Sequence, residues 1–124
     1  GALMGYCMSG SFTMFAAAAM PKRIGAIASF HGGGLATDKP DSPHHTIVES
    51  DALALHAIAE NDNERSPQMQ PMLKKAYQAA GLTAHIEVYP DTLHGWTPPD
   101  SKVYNEKQAE RAWQKTLALF KQAL

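Results

Sequence analysis

Four short apolar runs, at residues 1–5, 24–30, 53–59 and 83–89, are separated by helix-like stretches, and this alternation constrains the chain more than any other feature. With no internal repeat or low-complexity tract, it is the sequence form of a parallel sheet joined by crossover helices. The expected class is therefore α/β, with about four parallel strands and helices on both faces. Residues 24–30 are apolar or small throughout, as in a strand buried on both sides. In 83–89, Ala84, Ile86 and Val88 alternate with Thr83, His85 and Glu87. That period gives a strand with one wetter face, at the sheet edge.

The intervening helices have recognisable ends. The first is expected over 8–20, stopped by Pro21. Ser66 and Pro67 read as the cap and first position of a helix reaching Ala80, with Pro71 moving its regular part nearer Gln70 and Gly81 at the exit. Asn105 and Gln108 have capping-box spacing, and Ala109, Trp113, Leu117, Phe120 and Leu124 form the stripe expected to pack on the sheet. Residues 31–50 are rich in Gly, Pro, Asp and Ser, and a connection of that length suits the wall or lid of a site, with room for one helical turn.

A chain of 124 residues with 44% apolar and 19% charged residues supports one modest core, hence a single domain. The net charge of −1 with interspersed signs leaves no basic stripe for nucleic acid and no polybasic segment for a membrane. The longest apolar run, 14–20, is too short to span a bilayer, and no signal sequence is evident. A lone cysteine makes no internal disulfide, which fits a reducing, cytoplasmic setting. The chain reaches its first motif by residue 5, so elements that normally precede such a motif are expected upstream.

That motif is Gly5-Tyr6-Cys7-Met8-Ser9-Gly10, placed where a strand turns into a helix. A nucleophile in so tight a turn needs small neighbours, and G-x-C-x-x-G supplies them. The following helix would favour a Cys7 thiolate, and the N–H of Met8 would give one oxyanion donor. His94, in the loop after the last strand, is the candidate general base. Asp62, beyond the third strand, is the candidate acid that orients it, with Glu60 and Glu64 as close rivals. The order nucleophile, acid, base is the one that an α/β-hydrolase arrangement requires. The bland alternatives are a buried inert thiol, a packed loop histidine and a solvated acidic turn. His31, at a strand's carboxyl end, and Trp96 are candidate substrate-binding residues. The adjacent His44 and His45 lack a third ligand at a sensible spacing, so no metal is expected, and the scattered methionines read as core filling.

These segments, with Ser29-Phe30-His31-Gly32-Gly33-Gly34-Leu35, Asp62 with Pro67 after it, Tyr89 to Trp96, and Ala109-Glu110-Arg111-Ala112-Trp113, resemble the dienelactone hydrolase family over essentially the whole chain. The resemblance implies the carboxyl-terminal part of a three-layer α/β-hydrolase. It also implies hydrolysis of lactones or small carboxylic esters by a Cys-His-Asp triad, without metal or organic cofactor. Family members run to about twice this length, within the roughly 200–250 residues of such folds. Ser9 replaces a glycine frequent in the family's elbow, and Gly95 stands where some members have serine.

On this topology the first strand lies at an edge with unpaired backbone groups, and a second copy or a complementing chain is the expected cover, most simply as a homodimer. Two alternatives stand beside the hydrolase. One is a catalytically silent half-domain that oligomerises. The other is a class I glutamine amidotransferase-like domain, which needs His-x-Glu where Trp96 occupies the acid's position.

Overall fold

Each apolar run becomes a strand in the computed structural model, which describes residues 1–124: β1 (Ala2–Tyr6), β2 (Ala26–Phe30), β3 (Leu53–Ala59) and β4 (Ala84–Tyr89). They lie in the order β1-β2-β3-β4, every neighbouring pair parallel, so β1 and β4 are the edges. Between and after them run α1 (Ser9–Ala19), α2 (Glu60–Arg65), α3 (Met69–Ala80) and α4 (Glu106–Ala123). A 3₁₀ segment at Pro43–Glu49 is the helical turn expected within the long connection.

The period of two along the strands divides the apolar residues between two cores. On one side Ile27 and Ile58 meet Met14 of α1 and Leu73 and Tyr77 of α3. On the other, Ala26, Ala28, Leu55 and Ala57 meet Ala112 and Leu119 of α4. The result is the expected three-layer arrangement, and β2 is buried along its whole length. One polar line crosses the first core: Ser29 Oγ lies 2.5 Å from His56 Nδ1, and His56 Nε2 lies 2.7 Å from the Tyr77 hydroxyl. Burial lowers the pKa of His56 to about 4, so it sits in the core as a neutral imidazole.

Two local expectations are corrected. The polar cluster after β3 is helix α2, not loop. Its first turn holds Glu60 and Asp62 and its last Arg65, the charge order that complements a helix dipole. Helix α4 packs through a stripe shifted from the apolar one, with Ala109 and Phe120 of the expected stripe at its margin. Its buried residues are Gln108, Ala112, Thr116 and Leu119, whereas Trp113 and Leu117 are 40% and 43% exposed. Small residues over the alanine-rich face of β2 and β3 allow close approach, and the polar ones are satisfied locally. Thr116 Oγ1 donates to the Ala112 carbonyl, and Gln108 Oε1 accepts from Arg111. The ends match more closely: Asn105 Oδ1 accepts from the Gln108 N–H at 3.1 Å, and Gly81 closes α3 at φ 72°.

Candidate active site

The turn from β1 into α1 holds Cys7 at φ 51°, a left-handed conformation that costs a non-glycine residue on the order of 1–3 kcal/mol. Backbone bonds fix it: the Cys7 N–H donates to the Phe30 carbonyl at 3.0 Å, and the Gly10 N–H to the Cys7 carbonyl at 3.0 Å. Gly5 is sterically required, whereas Gly10 is only closely packed. A Cβ at Gly5 would lie 2.3 Å from the Ser9 carbonyl oxygen, and one at Gly10 3.1 Å from Ser29 Cβ. Ser9 fastens the turn from the other side, its hydroxyl accepting from the Tyr6 N–H and donating to the Tyr6 carbonyl, both at 2.7 Å. Met8 follows Cys7 immediately as the residue before the first turn of α1, with its side chain in solvent.

The carboxyl ends of β2, β3 and β4 bring three further side chains to the sulfur's side of the sheet, where open α/β sheets hold their ligands. His94 Nδ1 is 2.7 Å from Asp62 Oδ2, and the His94 N–H is held by Asn61 Oδ1 at 2.8 Å. Asp62 is buried, with Arg65 4.0 Å from its other oxygen. Its rival Glu60 instead accepts from the Asp91 N–H at 3.1 Å, and the hydrogen bond to the imidazole goes to Asp62, not to Glu64. One nitrogen of His94, one of His31 and the Cys7 sulfur all lie within 4.8 Å of one another.

The sulfur's nearest polar neighbour is His31, with Sγ 3.2 Å from Nδ1, while His31 Nε2 is 2.8 Å from Thr97 Oγ1. His31 is buried, sits at φ 44°, and is anchored by its N–H on the Ala57 carbonyl. Burial, and then the neighbouring His94, lowers its pKa to about 4. Burial, and then the Asp62 carboxylate, pushes the Cys7 thiol up. Both effects oppose the stabilisation of thiolate expected from the helix start. Trp96 is also corrected. Its indole is fully buried, packed edge-on against His31 at 5.2 Å and beside Tyr89 at 5.4 Å. It packs against the His31 imidazole and is not among the residues lining the neighbouring groove.

Sequence reasoning missed Thr97, whose contact with His31 spans 66 residues and leaves no mark in any local pattern. It also missed the groove beside the cluster, a cavity of about 250 Å³ with walls that include Tyr6, Phe30, Thr97, Tyr104 and Trp113. The half-exposed Trp113 belongs there because α4 is turned as described above. No helix is long and apolar enough to cross a membrane.

Known proteins share the sequence pattern and the fold. The chain is 31% identical over 124 residues to a protein of Escherichia coli (strain K12) named as a carboxymethylenebutenolidase, and 28% identical over 123 residues to its Salmonella typhi namesake. Each match covers 97% of this chain and 45% of the relative, so the chain spans less than half the length of these curated relatives. A solved structure from Klebsiella pneumoniae, named as a dienelactone hydrolase, superposes with a TM-score of 0.84 at 27% identity, covering 98% of this chain and 51% of that one. A dienelactone hydrolase-like promiscuous phosphotriesterase from metagenomic libraries shares the fold at a TM-score of 0.82 and 17% identity, over 98% of this chain and 52% of its own. The sequence pattern of the family described as "Dienelactone hydrolase family" matches residues 2–124. That match displaces the glutamine amidotransferase-like alternative, and the chain belongs to the dienelactone hydrolase family.

Proposed function

We propose that this chain hydrolyses lactones or small carboxylic esters, with Cys7 as nucleophile, His94 as general base and acid, and Asp62 orienting the imidazole. The observation that carries the reading is the 2.7 Å contact between Asp62 and His94 Nδ1, with the sulfur and a His94 nitrogen on the same side within 4.8 Å. A carboxylate on Nδ1–H fixes the tautomer and leaves Nε2 free to take a proton. The 4.8 Å bound is loose for a catalytic hydrogen bond, and such bonds commonly tighten only when substrate arrives.

The chemistry follows from the protonation states. In the resting arrangement the Cys7 S–H faces His31 Nδ1, and an imidazole with a pKa near 4 is too weak a base to remove its proton. His94 therefore takes the proton as the sulfur attacks the carbonyl carbon, and the ester C=O becomes an oxyanion held by the Met8 N–H. Collapse expels the alkoxide, which His94 protonates. Water, deprotonated by His94, then cleaves the thioester and restores the thiol. No step calls for a metal or organic cofactor. The aromatic groove beside His31 suits the apolar part of a small substrate.

Hydrolysis of p-nitrophenyl acetate by the native chain and by Cys7→Ala tests this directly. Equal rates would remove the hydrolase and leave the silent, oligomerising domain. We propose further that a second copy covers the free edge of β1 and the exposed Phe12 and Phe15 of α1, as a homodimer. A monomeric sedimentation coefficient at micromolar concentration would refute that.

A further inference from the structure

Acyl transfer needs one imidazole near the nucleophile, and this site has two. The second, His31, lies closer to the sulfur in hydrogen-bond terms, at 3.2 Å, and the mechanism above gives it no proton to move. Cys7, His31 and His94 each direct one donor atom to a common region, all within 4.8 Å of one another. Thiolate, imidazole and imidazole form a donor set suited to a thiophilic divalent ion. With a metal–sulfur bond of about 2.3 Å and metal–nitrogen bonds of about 2.0–2.1 Å, a tetrahedral ion needs its donors about 3.3–3.6 Å apart. Binding therefore requires the donors, now within 4.8 Å of one another, to draw in to that spacing by side-chain rotation.

The surroundings point the same way. A metal-binding histidine ordinarily has its other ring nitrogen fixed by an oxygen, which sets the tautomer and aims the free lone pair. Both imidazoles have that support: Asp62 Oδ2 on His94 Nδ1 at 2.7 Å, and Thr97 Oγ1 on His31 Nε2 at 2.8 Å. With the Nε2–H of His31 given to Thr97, its Nδ1 lone pair faces the sulfur. Cys7 and His31 are also held by backbone bonds at the ends of β1 and β2, so ordering the site costs little. Cys7 is partly exposed and the His94 side chain is 40% exposed, which leaves an entry path and a fourth position for water. The other histidine pair, His44 and His45, lies with ring centroids 4.1 Å apart but has no third donor of this kind.

We propose that Cys7, His31 and His94 form a binding site for a thiophilic divalent cation of the Zn²⁺ class. As the metal–sulfur bond forms, the thiol proton passes to the buffer. Both imidazoles bind neutral, and no electron is transferred. Given the hydrolase reading, from which this regulatory role follows, the ion occupies nucleophile and base together and blocks the site reversibly.

Anaerobic titration with Co²⁺, followed by displacement with Zn²⁺, reads the site without reference to activity. The native chain is expected to bind one Co²⁺ with tetrahedral visible bands and a thiolate-to-cobalt band. Cys7→Ser should abolish the thiolate band, and His31→Gln should weaken binding at least tenfold. The His44→Ala, His45→Ala double variant should titrate like the native chain. Absence of the thiolate band in the native chain, its survival in Cys7→Ser, or its loss only in the double variant would overturn the site. Ester hydrolysis separates the two readings. A Co²⁺–thiolate spectrum without esterase activity would retain the metal site and remove the hydrolase, whereas esterase activity indifferent to Zn²⁺ with no such spectrum would do the reverse.

Discussion

Replacing Gly5 by alanine puts the elbow under direct test. The new Cβ would stand 2.3 Å from the carbonyl oxygen of Ser9 and 2.7 Å from its carbonyl carbon, where ordinary contact begins at 3.4 Å. Those atoms are backbone, so relief requires the turn itself to open by about 1 Å, which overpacking results place at about 2–3 kcal/mol. At roughly 4 °C per kcal/mol for a domain of this size, the melting temperature should fall by about 8–12 °C. Displacing the sulfur by about 1 Å should also reduce ester turnover by on the order of 10²-fold. Two other glycines calibrate the result. At Gly10 the Cβ meets Ser29 Cβ at 3.1 Å, and the helix-propensity gain of about 1 kcal/mol should roughly offset the crowding. At Gly33 nothing lies within 4 Å, so alanine should be neutral or stabilise by about 0.4–1 kcal/mol. Urea unfolding followed by tryptophan fluorescence, paired with the rate of Cys7 reaction with a disulfide reagent, measures both effects. Gly5→Ala matching Gly33→Ala in midpoint, slope and thiol reactivity would refute the steric argument.

Asp62→Asn should lower kcat for p-nitrophenyl acetate by on the order of 10³–10⁴-fold with little change in KM, because the amide no longer fixes the His94 tautomer; steady-state kinetics at neutral pH checks this. Since His31 and His56 both have folded-state pKa values near 4, the unfolded chain binds more protons below the ordinary histidine value of about 6.5, and stability should be complete above that pH and decline as pH falls toward 4. Denaturation midpoints across that window should show the fall, and His56→Phe should make it shallower. Glu110 is the one charged residue lining the groove, so neutral esters should be preferred over matched carboxylated ones. Glu110→Gln should narrow that preference by on the order of threefold to tenfold at low salt, measured as a ratio of kcat/KM values.

Local features were legible in the sequence where their cause is local. The span of β3, the Asn105 cap and the Gly81 exit each depend on a handful of neighbouring residues, and they appear where spacing places them. The elbow was legible for the same reason, since Gly5 and Gly10 act on atoms of the turn and of the adjoining strand. Helix α2 was less visible because a run of Glu, Asn, Asp and Arg reads equally as loop, although its charge order was available as a signal. The face of α4 was misjudged because apolarity alone does not distinguish a stripe that packs on a sheet from one that lines a groove. Close packing favoured Ala112 and Thr116 over Trp113 and Leu117. The pairing of Cys7 with His31, and of His31 with Thr97, joins residues 24 and 66 positions apart. Only the parallel register of all four strands brings them together.

The hydroxyl of Ser9 has a consequence for how this chain meets other polypeptides. By occupying both main-chain groups of Tyr6, it leaves the terminal rung of the sheet with nothing to offer an incoming strand. A neighbouring strand that zips alongside Ala2 and Met4 therefore loses its main-chain partners at Tyr6, one residue before the sulfur.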